Sequence, residues 1–188
     1  MTTTTESNKG RRTTAGGVLG AAAVATGLMA GLFAAYANNV MPALARSDDR
    51  VYVEAMRNIN DVIQNPVFFL SFMGAVLLTG VSSWQLRGQS YRWWVWAGLA
   101  AYAVGFLTTI AFNIPLNNDL AHMTDPTAAR EHFEQAWVAW NVVRAVLSTV
   151  ALGCLARALV LYGRVTSGTS PRRSAPLSPS GGAPSGGV

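Results

Sequence analysis

This chain is poor in charge. Asp, Glu, Lys and Arg make up 12% of its 188 residues, about half of the roughly 25% usual in soluble domains, which excludes an all-round water-facing surface. The single cysteine, Cys154, lies in an apolar run. It excludes an internal disulfide and any CxxC motif, and reads as a small apolar core residue. His122 and His132 are the only histidines, and their spacing from Asp119, Asp125, Glu131 and Glu134 fits no metal-ligand pattern, so no metal is expected. There is no Gly-rich phosphate loop, no nucleophile elbow and no haem or flavin signature, so no cofactor is expected. The formal net charge is +5, yet the basic residues form neither a stripe nor a nucleic-acid motif, and nucleic acid is excluded as a partner.

Apolar residues are abundant, at 51% of the chain with a mean hydropathy of +0.26. They are gathered into four runs, at about 15–36, 66–85, 92–112 and 136–162. About 20 apolar residues, at about 1.5 Å each, cross a bilayer core of about 30 Å. The expected fold is therefore all-α: an integral membrane four-helix bundle over 15–163. The Thr-rich lead at 1–14 and the Ser, Pro, Gly and Arg tail at 164–188 bury too little apolar surface to fold and are expected to be disordered.

Charge also sets an expected orientation. Lys9, Arg11 and Arg12 precede the first run, Arg87 and Arg92 separate the second and third, and Arg157, Arg164, Arg172 and Arg173 close the fourth. Every acid except Glu6 falls in the other two loops. Basic residues collect on the cytoplasmic side, so a multi-pass cell-membrane protein with both termini cytoplasmic is expected. Trp84, Trp93, Trp94 and Trp96 sit where an inner aromatic belt belongs. The first run, with Ala35-Tyr36-Ala37 after it, imitates a cleavable signal peptide, but it exceeds the usual signal core of about 7–15 residues, which favours an uncleaved anchor. Gly16/Gly20 and Gly27/Gly31 are small residues four apart that let a second helix approach.

The two outer loops carry helical signals. Tyr52, Met56, Ile59 and Ile63 recur at helical spacing between Ser47 and Gln64, marking an amphipathic helix with Ser47 or Asp48 as its cap. It is expected along the membrane surface or folded over the bundle. Asp125-Pro126 starts another helix, expected to run unbroken into the fourth span.

Arg130, Glu134, Trp137, Asn141, Arg144 and Ser148 follow at spacings of four and three, one polar stripe down one helix face. Arg144 lies about two turns inside the apolar run. A charge there costs several kcal/mol unless it faces the bundle interior and finds partners. It either ties helices together or marks a site. Pro115 is expected to end the third helix, with Asn113 and Asn117 satisfying the freed backbone, or with those amides facing Arg144 and Asn141 across a pocket. Asn38, Asn39, Met41 and Pro42 end the first run similarly, and the surface helix adds Arg57, Asn58 and Asn60. In a bundle all of these reach one level, which points to a binding site there.

The segments Met41-Pro42-Ala43-Leu44, Ala55-Met56-Arg57-Asn58-Ile59-Asn60, Asn113-Ile114-Pro115-Leu116-Asn117 and Trp137-x-x-Trp140-Asn141-x-x-Arg144 together resemble the anthrone oxygenase-like family of small four-helix membrane proteins, over about residues 15–162. The resemblance implies a cofactor-independent oxygenase that oxidises a small, flat, phenolic polyketide-like substrate with molecular oxygen, in contact with membrane lipid. It implies catalytic roles for Arg144 as a cation, for Asn113, Asn117 and Asn141 as donors, and for Trp137 as a stacking wall. Trp140, Asn39, Pro42, Arg57, Asn60 and Pro115 would bind substrate. Fungal members typically carry His where this chain has Asn141, and Asn is no general base. Glu134, Asp61 or a loop histidine would then supply the base, or the chemistry differs. The rival reading is a non-catalytic membrane protein that binds a lipid or a partner subunit. A transporter component is disfavoured, because Arg144 is the one charge deep in a span.

Overall fold

The computed structural model describes the backbone of residues 3–168 and the side chains of residues 13–168. Residues 1–2 of the lead and 169–188 of the tail lie outside the described residues. Three helix starts follow from local chemistry. Asp48 accepts from the Val51 amide, Asn65 from those of Val67 and Phe68, and Asp125 from that of Thr127, each satisfying amides with no intrahelical partner. Helix α3 (Asp49–Ile63) follows the first cap, α4 (Pro66–Gln85) the second and α7 (Pro126–Gly168) the third. The amphipathic segment is therefore α3, capped by Asp48.

Two other prolines do not end helices, contrary to expectation. Helix α1 (Thr3–Ala35) continues through a π turn at Tyr36–Val40 into α2 (Met41–Leu44). Helix α5 (Arg92–Thr108) continues through a second π turn at Thr109–Asn113 into α6 (Ile114–His122). Proline lacks an amide hydrogen, and its ring collides with the carbonyl four residues back. For Pro42 and Pro115 those carbonyls belong to Asn38 and Ala111, inside the π turns. The widened turn absorbs the collision and the helix runs on. The first span thus reaches Leu44 rather than 36, the third reaches His122 rather than 112, and the fourth starts at Pro126. Helix also takes in residues 3–14 and 164–168, read from sequence as disordered.

Four helices are long and apolar enough to cross a membrane: Thr13–Leu44, Pro66–Gln85, Arg92–His122 and Pro126–Gly168. They close a ring, with α1 on α4 and α7 and α5 on α4 and α7. Leu70, Leu77, Leu107 and Val146 point outward and are exposed, the pattern of a bundle with an apolar solvent around it. Trp84 and Trp93 are exposed at the α4–α5 connection under the guanidinium groups of Arg87 and Arg92. At that end Leu19, Ala22, Val95 and Leu155 form the core; midway it is Met29, Phe33, Phe72 and Tyr102. At the opposite end α3 folds over the bundle and buries Tyr52, Val53 and Met56 against Leu120, Phe133 and Trp137.

The close helix approaches differ from the four-residue glycine spacing. A β-carbon on Gly16 would stand 2.7 Å from the Tyr162 ring, and one on Gly27 3.6 Å from Leu152, whereas one on Gly20 or Gly31 would meet nothing within 4 Å. The tightest contact with backbone is at Gly98, where a β-carbon would lie 3.3 Å from the Ala151 carbonyl and 3.2 Å from Leu155.

Candidate functional site

The end of the bundle under α3 holds a cavity of about 220 Å³. Its floor is built by α7, whose polar stripe turns inward: Trp137, Asn141, Arg144 and Ser148 are buried. Its walls are Phe33 and Tyr36 of the first span, Phe68 and Phe72 of α4, and Thr109, Asn113 and Asn117 of the third span. Ile59, Asn60 and Ile63 of α3 form the roof. The mouth is two-sided: Phe69 and Ile114 are exposed on an apolar lip, Gln64 and Asn118 on a polar one.

The second π turn explains how one wall collects its polar groups. Thr109, Asn113 and Asn117 are four residues apart. On a regular α-helix that spacing drifts around the axis. The widened turn brings a spacing of four closer to a full revolution, so all three face the cavity.

Arg144 is 5% exposed. Its Nη2 donates to Asn141 Oδ1 at 3.0 Å, and its Nη1 reaches Thr109 Oγ1 at a long 3.5 Å. The guanidinium lies 4.4 Å from the centre of the Phe33 ring and 5.4 Å from Trp137. Its Nε has no partner, and no carboxylate among the described residues forms an ion pair with it. Amide, hydroxyl and ring faces therefore compensate the charge only in part, with most of its five N–H donors unused. A group so placed attracts an anionic oxygen into the cavity.

The asparagines are fixed differently. Asn141 donates to the Phe33 carbonyl at 3.1 Å, joining α7 to the first span just before its π turn. Asn117 Oδ1 accepts from the Trp137 indole at 2.8 Å, which sets the ring's orientation. Asn113 is 1% exposed, and among the described residues neither of its amide atoms has a partner.

Six of the residues singled out in the sequence thus meet at the cavity: Arg144, Asn141, Asn117, Asn113, Trp137 and Asn60. The others sit apart from it. Trp140 stacks flat on Phe112, with ring centres 3.8 Å apart. Asn39, Pro42 and Pro115 are exposed. Arg57 donates from Nε to the Leu120 carbonyl at 2.9 Å and from Nη2 to the Met123 carbonyl, closing the last turn of α6. The candidate bases are elsewhere too. Glu134 is held by Arg130 at 2.6 Å, His132 by Asp119 at 3.1 Å, and Asp61 and His122 are exposed. Arg130 also bonds Asp49 and the carbonyls of Ser47 and Ala45. It covers the Tyr52 ring, whose hydroxyl burial pushes above its ordinary pKa, with the Glu134 charge adding to the rise. This cluster pins α3 in place over the cavity.

Sequence reasoning did not single out Thr109, Tyr36 or the Phe68, Phe69 and Phe72 group. Thr109 carried a signal in its four-residue spacing from Asn113. The phenylalanines carried none, because an apolar span is rich in such residues on every side.

The family model described as anthrone oxygenase matches residues 62–154. That stretch contains α4, α5, α6 and the part of α7 that carries Trp137, Asn141 and Arg144. No curated protein and no solved structure matches the chain. Over that stretch, which takes in the floor and two walls of the cavity, this chain of four apolar helices is similar to the anthrone oxygenase family.

Proposed function

We propose that this protein is a cofactor-independent membrane oxygenase that converts a phenolic, anthrone-type ring system to the quinone with molecular oxygen. The observation that carries the reading is Arg144, a buried guanidinium without a carboxylate partner among the described residues, which lines an aromatic-walled cavity. A cavity of about 220 Å³ exceeds the roughly 150 Å³ that takes one benzene ring, and suits a flat fused system standing partly in the mouth.

The chemistry asks little of the protein. The methylene of the bound ring loses a proton, and the charge spreads to the ring carbonyl oxygen. A cation beside that oxygen favours the anion and makes the methylene more acidic. Among the described residues neither Asp, Glu nor His lines the cavity, so in this reading the proton leaves through the mouth to water while Arg144 supplies the driving force. The electron-rich anion passes an electron to oxygen, the two radicals combine to a peroxide anion that takes a proton back from water, and loss of water from the resulting hydroperoxide leaves the second carbonyl. One oxygen atom enters the product and the other leaves as water. All four electrons come from the methylene, so no external reductant is needed. Phe68, Phe72 and Trp137 hold the ring flat and Asn141 steadies the guanidinium.

The test is oxygen uptake and quinone formation by purified protein given an anthrone such as emodin anthrone. A rate at least about tenfold above the spontaneous one is expected. A rate equal to the buffer control removes this substrate class. The reading also has the protein in the cell membrane with both termini cytoplasmic, supported by the basic residues at the α4–α5 connection and the acids of the other two loops. Reporter fusions at Asp48 and Thr127 should read outside and one at Gly88 inside; the reverse pattern overturns the orientation.

A further inference from the structure

Three of the asparagines that line the cavity with Arg144, namely Asn113, Asn117 and Asn141, differ in what they have left to offer. Asn141 uses both amide atoms within the protein, and Asn117 has its oxygen on the Trp137 indole. Asn113 is buried with its oxygen and its nitrogen both unpaired. Leaving a buried polar group unsatisfied is costly, and this side chain bears that cost at both amide atoms. Arg144 lines the same cavity with N–H donors to spare, its Nε unpaired and its Nη1 making only the long contact to Thr109, four residues before Asn113.

We propose that Asn113 is the specificity-determining residue of this cavity, and that it selects a ring carrying a hydroxyl beside a carbonyl on one edge. The proposal rests on the cavity being the substrate site. An amide presents an acceptor and two N–H donors side by side. The ligand's carbonyl takes the Nδ2 hydrogen on one lone pair and leaves the other for Arg144. The adjacent hydroxyl donates to Oδ1. In the free ligand that hydroxyl is tied internally to the carbonyl, so the amide exchanges one hydrogen bond for two. A ring without the hydroxyl leaves Oδ1 buried and unpaired, the condition under which sites reject an analogue most strongly. Oxygens on opposite edges meet only one end of the amide.

Unreactive quinones test this without any turnover. Binding of 1-hydroxyanthraquinone, its O-methyl ether and unsubstituted anthraquinone is measured by tryptophan quenching in detergent, for the wild type and for Asn113→Leu. The wild type should bind the hydroxyquinone about tenfold or more tightly than the other two. Asn113→Leu should bind all three alike, within about twofold. Asn113→Ala, which removes the amide without adding bulk, is read the same way should the leucine variant fail to fold. Survival of the hydroxyl preference in either variant overturns the proposal. So does equal binding of all three quinones by wild type that still oxidises an anthrone, an outcome that leaves the oxygenase reading standing. Wild type that neither binds any quinone nor oxidises an anthrone removes both.

Discussion

Arg144→Met is expected to lower quinone formation by about 10²–10³-fold while the protein stays folded. The magnitude is that of removing one preorganised donor from a developing oxyanion. Folding should survive because the guanidinium contributes little to it. A Thr109 contact of 3.5 Å, one amide bond and two ring faces do not offset the cost of taking a cation out of water. Methionine fills much the same volume without that cost, so the melting temperature measured by circular dichroism in detergent should hold or rise. Arg144→Lys should not restore the rate. An ammonium has no planar fork to lie between Phe33 and Trp137 while still presenting an N–H to the cavity. A methionine variant that turns over at the wild-type rate would remove Arg144 from the chemistry altogether.

Gly98→Leu carries the largest expected effect on stability. At this point α5 and α7 touch through backbone: a β-carbon would stand 3.3 Å from the Ala151 carbonyl, which cannot swing aside, and 3.2 Å from Leu155. Adding a whole isobutyl group forces the helices apart, at a cost of about 3 kcal/mol. For a chain of this length that corresponds to roughly 10 °C in melting temperature. Gly105→Ala is the matching control on the same helix, since its β-carbon would meet Leu147 at an ordinary 3.6 Å. It should melt within a few degrees of wild type. A Gly98→Leu protein as stable as the control would show that α5 and α7 do not approach this closely.

How far the amino-acid sequence announced this architecture depends on the range of the forces involved. Apolar runs specify spans by solvent transfer alone, and the four of them are there. The apolar face of α3 was legible because burying one side of a helix leaves a periodic trace; its Asp48 cap and the Asp125-Pro126 start are likewise local. The inward turn of Asn141 and Arg144 was foreshadowed by the cost of exposing them to lipid. What failed was anything requiring knowledge of a neighbour. Pro42 and Pro115 look like helix ends, and only packing on both sides makes it cheaper to widen a turn than to stop. Arg57 looks like a site residue, yet the open carbonyls at the end of α6 capture it. Trp140 belongs to the right helix and faces away from the cavity, onto Phe112. The candidate bases failed for the same reason: Glu134 and His132 are of the right chemical type but are held by Arg130 and Asp119.

The two π turns have a consequence for how the molecule tolerates change. Each works as one surplus residue lodged in a helix, at Tyr36–Val40 and at Thr109–Asn113, and puts the segment beyond it out of phase with the segment before. The half that anchors the third span, around Gly98 and Tyr102, is therefore angularly decoupled from the half that carries Asn113 and Asn117. Lengthening or shortening the chain inside such a turn re-aims the amides and leaves the anchor where it was, so the lining of this cavity has room to diverge while the scaffold beneath it stays the same.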